Sequence, residues 1–212
     1  MAPGAIPILL LRLFGIKNII ATAHTAADIY PNLKLVHFIQ RYCVRVFTCI
    51  TQVAEMSFFG KSNLYTQKTV IQKVNHFTIY NVLPSYIKIR EEQRDFSSPV
   101  TLGVVGRLEK IKGGDLVIPA FVRIKERYPE TRLLIVGDGS LKAFMQQQAK
   151  DLHVSEYITW VGRKDQSQLQ AYYDKIHVLL IPSRSEGFGL TAIEGMAVSY
   201  THLRAHETLM NL

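Results

Sequence analysis

Cysteine is scarce in this sequence: Cys43 and Cys49 are the only two among 212 residues. Their spacing fits neither a zinc site nor a disulfide framework. They read as reduced core residues of a cytosolic protein. No apolar run approaches the ~18 residues of a membrane span. The apolar stretch ahead of Ala21-Thr22-Ala23 has no basic residue before it and is interrupted by Arg12 and Lys17, the reverse of a signal peptide. No basic run is interleaved with aromatics, so nucleic acid is the least expected partner. There is no Asp-x-Asp element. His202 and His206 sit four apart but have no third ligand nearby, so no metal is expected.

What is present is an ordinary globular composition, 48% apolar and 20% charged. The length suits one large domain or two small ones. The net charge of +8 is unevenly placed. Residues 1–97 carry 11 Lys+Arg against 5 Asp+Glu, and residues 98–198 carry 13 against 11. A basic first half suits an anionic membrane surface or phosphates; the plainer reading is a solvated basic face.

From residue 100 the pattern is regular. Strands are expected at Val100 to Val105, Arg132 to Val136, Tyr157 to Val161 and His177 to Ile181. Helices are expected at Leu116 to Tyr128, Ser140 to Leu152, Gln166 to Tyr173 and Phe188 to Ala197. Pro119 falls near a helix start, where a missing N–H is tolerated. Alternation of this kind implies βαβ units and a doubly wound parallel sheet. The first half repeats it less clearly, with strands at Lys17 to Thr22, Arg45 to Ile50 and His76 to Tyr80. The polar stretch Arg90 to Ser98 reads as a linker between two α/β domains, 1–89 and 99–198. Residues 199–212 continue neither period and resemble translated adapter sequence, so they are set outside the fold as a non-native-looking tail.

Three constellations carry chemistry. In the first, Gly106-Arg107-Leu108 precedes Lys112-Gly113 where a strand gives way to a helix. Helix starts offer free N–H groups to phosphate, and Arg grips a diphosphate with paired hydrogen bonds. An ordinary turn with two exposed cations reads equally well from these residues alone. The second, Gly137-Asp138-Gly139, is weaker, because glycines at such turns are common for steric reasons. The third runs from Pro182 to Leu190 and on to Glu194. It places Glu186 in a loop and Glu194 on the second turn of the following helix, with Gly187 and Gly189 leaving amides open. Two carboxylates so placed can accept from the hydroxyls of one sugar-bearing ligand.

The third constellation resembles the E-x7-E signature of retaining GT-B glycosyltransferases, in particular glycosyltransferase family four. The Gly-Arg-Leu…Lys-Gly element looks like that family's diphosphate site, and the resemblance covers about residues 5–198. It implies two Rossmann-like domains and transfer of a hexosyl group from a nucleotide-sugar, UDP- or GDP-linked, to a glycan or lipid-linked acceptor, with the anomeric configuration retained and no cofactor. It gives Arg107 and Lys112 the donor pyrophosphate, Glu186 the transferred sugar and Glu194 the ribose. Gly137 joins the donor site, and Gly187, Phe188, Gly189 and Leu190 shape its loop. His24, after Ala21 to Ala23, matches the active-site histidine, and Asn81 the interdomain asparagine. A cytoplasmic protein, peripheral at the inner face of the membrane, is expected.

The sequence departs from the family in two places. It lacks the opening strand with its Gly-rich loop, and the Gly-x-Pro strand that should follow Glu194 to Ala197. Both domains are therefore expected to be incomplete. A catalytically inactive nucleotide-sugar-binding fragment stands as the alternative to an enzyme.

Overall fold

The structure, a computed structural model, describes residues 4–25, 27, 32–66, 74–90, 95–96, 99–186, 188–198 and 201–204. They form two compact units, one mainly within Met1–Val82 with Glu186–Phe188 grouped to it, and one within Leu83–Ser185 and Gly189–Glu207.

The first unit runs α1 (Ala5–Leu13), β1 (Ile20–Ala23), α2 (Leu33–Phe38, continuing as the π-helix Ile39–Cys43), β2 (Val46–Cys49), α3 (Gln52–Phe59) and β3 (His76–Thr78). The three strands pair in parallel in the order β1-β2-β3. Local chemistry sets the helix ends. Asn32 accepts from Leu35 N at 3.0 Å and Thr51 from Ala54 N at 3.1 Å, each occupying a donor that the first turn leaves open. Gly60, at φ 69°, closes α3 in the left-handed region. Phe47, Phe58 and Cys49 fill the core between sheet and helices. Burial, and then the nearby Glu55 charge, push the Cys49 thiol up to about 12, so it is an inert apolar group.

The second unit runs β4 (Thr101–Val105), α4 (Gly114–Arg127), β5 (Arg132–Val136), α5 (Lys142–Asp151), β6 (Ile158–Gly162), α6 (Leu169–Tyr173), β7 (Val178–Ile181), α7 (Leu190–Ala197) and β8 (Thr201–Arg204). All five strands are parallel, in the order β6-β5-β4-β7-β8. Because side chains alternate along a strand, each face of this sheet gathers its own core. Leu102, Leu133 and Ile135 meet Val117, Ile118 and Phe121 of α4 and Met145 of α5. Leu134, Val136 and Leu179 meet Tyr173 of α6 and Ala192 of α7. Ile118, Phe121 and Met145 are wholly buried. Each such side chain contributes about 1.5–3 kcal/mol by leaving water.

Three differences from the sequence expectations stand out. The expected boundary puts residues 83–89 in the first domain and Arg90 in the linker, but Leu83, Tyr86 and Ile87 pack in the second unit's core, and Arg90 N donates to Ala197 O at 2.8 Å. Three apolar residues in an irregular segment make no period to read. Helix α4 begins at Gly114, so Pro119 lies inside it rather than near its start. Thr201–Arg204, set outside the fold by its pattern, pairs with β7 as a fifth strand. Backbone pairing at an open sheet edge needs no particular side chains.

Candidate functional site

The strand order fixes where a ligand can sit. From β4 the chain winds one way through β5 and β6, then returns to place β7 on the other side of β4. The carboxyl ends of β4 and β7 therefore meet at the switch point of the sheet, the place where open α/β sheets bind ligands. The loop after β4 carries Arg107 and Lys112, and the loop after β7 carries Glu186.

The loop after β4 is held from both sides. Toward β5, Gly106 N donates to Val136 O at 2.9 Å and Leu108 N to Asp138 O at 3.0 Å. Gly137 has φ +144°, and a Cβ there would stand 1.8 Å from Gly106 O. The Gly-Asp-Gly turn thus owes its first glycine to close backbone approach. Toward β7, Gly113 has φ +70° and a Cβ there would meet Pro182 O at 2.0 Å. Arg184 N donates to Ile111 O at 2.9 Å, and the Arg184 guanidinium grips both oxygens of Asp115 at 2.7 and 2.8 Å. Between these anchors Lys110–Lys112 makes one 3-10 turn into α4, with Arg107 exposed and Lys112 half-buried.

Gly106, Arg107, Gly137, Asp138, Arg163 and Lys164 are among the residues lining a pocket of about 470 Å³ at the carboxyl ends of β4, β5 and β6. Its acid is balanced. Asp138 accepts from Lys142 Nζ at 2.7 Å and from Gly139 N, which hold its carboxyl below the usual range. Glu109 is spent on Ser140, accepting from its N–H at 3.0 Å and its hydroxyl at 2.6 Å. Three cations remain to face the opening: Arg107, Arg163 and Lys164. Sequence reasoning missed the last two. They follow Gly162, the last residue of β6, outside the three constellations, and only the sheet order brings them beside Arg107.

Glu186 is half-buried in the loop between β7 and α7 and is not among the residues lining this pocket. Gly187 lies outside the described residues. Phe188 is half-buried, Gly189 caps α7 at φ 73°, and Leu190 opens the helix, two residues later than expected. Glu194 is 5% exposed, and both its oxygens are engaged. Tyr86 donates to Oε1 at 2.7 Å and Tyr173 to Oε2 at 2.5 Å. Burial, and then the bond to Glu194, raise the Tyr86 phenol above its ordinary value. In the first unit His24 follows the carboxyl end of β1 and is exposed, and Asn81 lies beyond β3. Among the described residues no three His, Cys, Asp or Glu gather as for a metal, and no helix is long and apolar enough to cross a membrane.

Residues 85–201 match the family described as "Glycosyl transferases group 1". The chain is 34% identical over 105 residues to a glycogen synthase of Mycobacterium tuberculosis (strain CDC 1551 / Oshkosh), covering 50% of this chain and 25% of that protein. It is 31% identical over 118 residues to a GDP-mannose-dependent alpha-(1-6)-phosphatidylinositol monomannoside mannosyltransferase of Mycolicibacterium smegmatis, covering 56% and 30%. The chain thus spans about a quarter of the length of the curated relatives it matches. Among solved structures, the pneumococcal O-GlcNAc transferase GtfA, in complex with UDP and GlcNAc, superposes with a TM-score of 0.68 at 20% identity, over 96% of this chain and 40% of that one. Anabaena HepE in complex with UDP-glucose gives 0.68 at 16% identity, over 95% and 56%. These neighbours share the GT-B architecture of Rossmann-like units. With the family match covering more than half of its length, the chain belongs to the group 1 glycosyl transferases.

Proposed function

We propose that this chain is the donor-binding part of a sugar transferase of glycosyltransferase family four. It takes a hexosyl or N-acetylhexosaminyl group from a UDP- or GDP-sugar and passes it, with retained configuration, to a glycan or lipid-linked acceptor. One observation carries the reading: Arg107 and Lys112 lie in the loop after β4, whose carboxyl end stands at the switch point of the second unit's sheet. In open α/β sheets nucleotides bind at such a point.

The chemistry follows from what breaks. As the bond between sugar and diphosphate opens, negative charge gathers on the leaving diphosphate. Arg107, Lys112 and the amides opening α4 are positive groups already in place to meet it, so they stabilise the transition state more than the bound donor. Glu186 is assigned to hydroxyls of the transferred sugar and Glu194 to the ribose diol. For His24 the assignment rests on the family resemblance alone. The mannosyltransferase named for GDP-mannose and the UDP complexes of the structural neighbours support a nucleotide-sugar donor.

The test is calorimetric titration of UDP and GDP into the 212-residue chain and its Arg107→Ala variant, followed by product anomer analysis by NMR. Binding of one nucleotide, weakened in the variant, supports the donor site. Equal affinity in both chains removes it. Binding without turnover of any donor sugar gives the alternative, an inactive nucleotide-sugar-binding fragment.

A further inference from the structure

The first unit carries a second concavity, at the far end of its sheet from His24. Its strands are parallel, so their carboxyl ends, where His24 follows β1, share one edge and their amino ends share the other. At the amino edge His37, Gln40, Arg41, Lys61, Asn75 and His76 line a pocket of about 480 Å³. Among the described residues no carboxylate lies in that wall. Gln40 Nε2 donates to Asn75 Oδ1, which occupies one of the few acceptors. Among the described residues neither Arg41 nor Lys61 is paired with an acid.

The rear of the pocket is rigid. His76, the first residue of β3, is 5% exposed, and its ring stacks on Phe59 with centroids 4.4 Å apart. Its Nδ1 lies 2.5 Å from Oε1 of Glu55, a carboxylate with no exposed surface. Glu55 also accepts from Thr78 Oγ1 at 2.6 Å and from Asn63 N at 3.0 Å. This carboxylate therefore fixes the imidazole from behind and leaves Nε2 as the ring's remaining polar atom. A buried acid holding one ring nitrogen in this way sets the orientation of the other. On the outer wall, His37 Nε2 is bonded to Phe58 O at 2.6 Å, which fixes that ring as well.

We propose that this pocket binds a phosphate ester, with Arg41 and Lys61 supplying the charge and His76, positioned by Glu55, a directed hydrogen bond. Three things point to an anion: a wall of donors, the absence of acid from it, and an excess of 11 Lys+Arg over 5 Asp+Glu in residues 1–97 that the donor site does not use. Arg suits phosphate because its planar fork presents parallel N–H groups. The volume exceeds what a bare phosphate needs and falls in the ~300–1,000 Å³ range of small-molecule sites. The ester is carried either by a soluble metabolite or by the headgroup of a lipid.

The test uses the 212-residue chain with glycerol 3-phosphate in solution and with vesicles of phosphatidylglycerol and phosphatidylcholine, pure phosphatidylcholine being the control. The double variant Arg41→Ala/Lys61→Ala changes exposed side chains only, and its melting curve checks that it folds. The expected result is binding at least ~tenfold weaker in the double variant and unaltered in Arg107→Ala, since removing a charge-assisted hydrogen bond weakens binding about tenfold or more. Loss of vesicle binding that glycerol 3-phosphate also competes away assigns the site to lipid headgroups. Glycerol 3-phosphate binding without vesicle binding assigns it to soluble esters. Binding unaffected by the double variant, or abolished by Arg107→Ala, overturns the proposal, as does no binding of either probe at millimolar concentration.

Discussion

Arg184 and Asp115 lock together side by side, Nη1 to Oδ1 at 2.7 Å and Nη2 to Oδ2 at 2.8 Å. One residue leaves β7 and the other opens α4, so the pair ties together the two loops that flank the switch point of the sheet. The same guanidinium bonds Lys110 O, fixing the turn that presents Lys112.

Arg184→Ala should therefore loosen the donor site without unfolding the unit. Both side chains are partly exposed, 41% and 26%, so the pair itself stabilises only modestly. A thermal double-mutant cycle with Asp115→Asn should give a small coupling that added salt screens further. Nucleoside diphosphate binding should weaken several-fold in either single variant. Unchanged affinity would mean that the loops hold their places without the bridge.

Gly137→Ala should be far more damaging. The new Cβ would fall 1.8 Å from Gly106 O, at a φ that L side chains rarely adopt. The loops after β4 and β5 must separate, costing about 2–4 kcal/mol. Urea unfolding should show this as a lower midpoint at the same slope. A variant that melts like the parent would show that the backbone approach is not tight.

Glu194 makes a different prediction, because Tyr86 and Tyr173 already occupy both its oxygens. If a ribose hydroxyl is to bond Oε1, it takes the place of the Tyr86 hydroxyl. Tyr86→Phe should then tighten nucleotide binding, while Glu194→Ala weakens it by about 1.5–3 kcal/mol and also destabilises the core. Tyr173→Phe, at a fully buried position, should lower stability and leave affinity nearly unchanged. Weaker binding in Tyr86→Phe would show that Tyr86 orients the carboxylate rather than competing for it.

Acid should weaken the first unit through Glu55. Burial alone would raise its carboxyl, but the bonds from His76, Thr78 and Asn63 and the His76 charge overcome that and hold it below its ordinary 4.5. A depressed folded value means that stability is fully present above 4.5 and is lost as pH falls below it. Glu55→Gln should remove that part of the acid dependence and cost about 1–3 kcal/mol at neutral pH, where an amide replaces a carboxylate that accepts from His76, Thr78 and Asn63. Urea midpoints of both proteins at pH 7 and pH 3 measure the difference. Parallel acid profiles would clear Glu55 of the effect.

The second unit is largely legible in its residues. Leu133 to Val136 is a run of apolar residues after a turn, and β5 forms at the expected bounds Arg132–Val136. The glycines at 106, 113 and 137 announce turns before the turns can be seen. What escapes is whatever depends on strand order. Arg163 and Lys164 join the pocket only because β6 lies beside β5, and no spacing in the chain encodes that. Glu55 and His76 are equally silent, since an acid in a helix's first turn and a histidine at a strand start look ordinary until packing brings them to 2.5 Å. Tyr86 lies in a stretch with no period and falls on the wrong side of the expected division.

The central strand β4 has neighbours made at very different times. Its partner β5 follows within one helical crossover, but β7 lies far down the chain, and Thr101 N meets His177 Nδ1 across 76 residues. A ribosome adds about 5–20 residues per second. For several seconds, then, the nascent unit holds β4, β5 and β6 with one edge of β4 open and nothing yet to pair with it. Closing a loop of that length is entropically slow, and an open strand edge invites pairing with other chains. Productive folding of this unit must wait for Val178–Ile181 to emerge, so the interval before then is when the growing chain most needs protection from its neighbours.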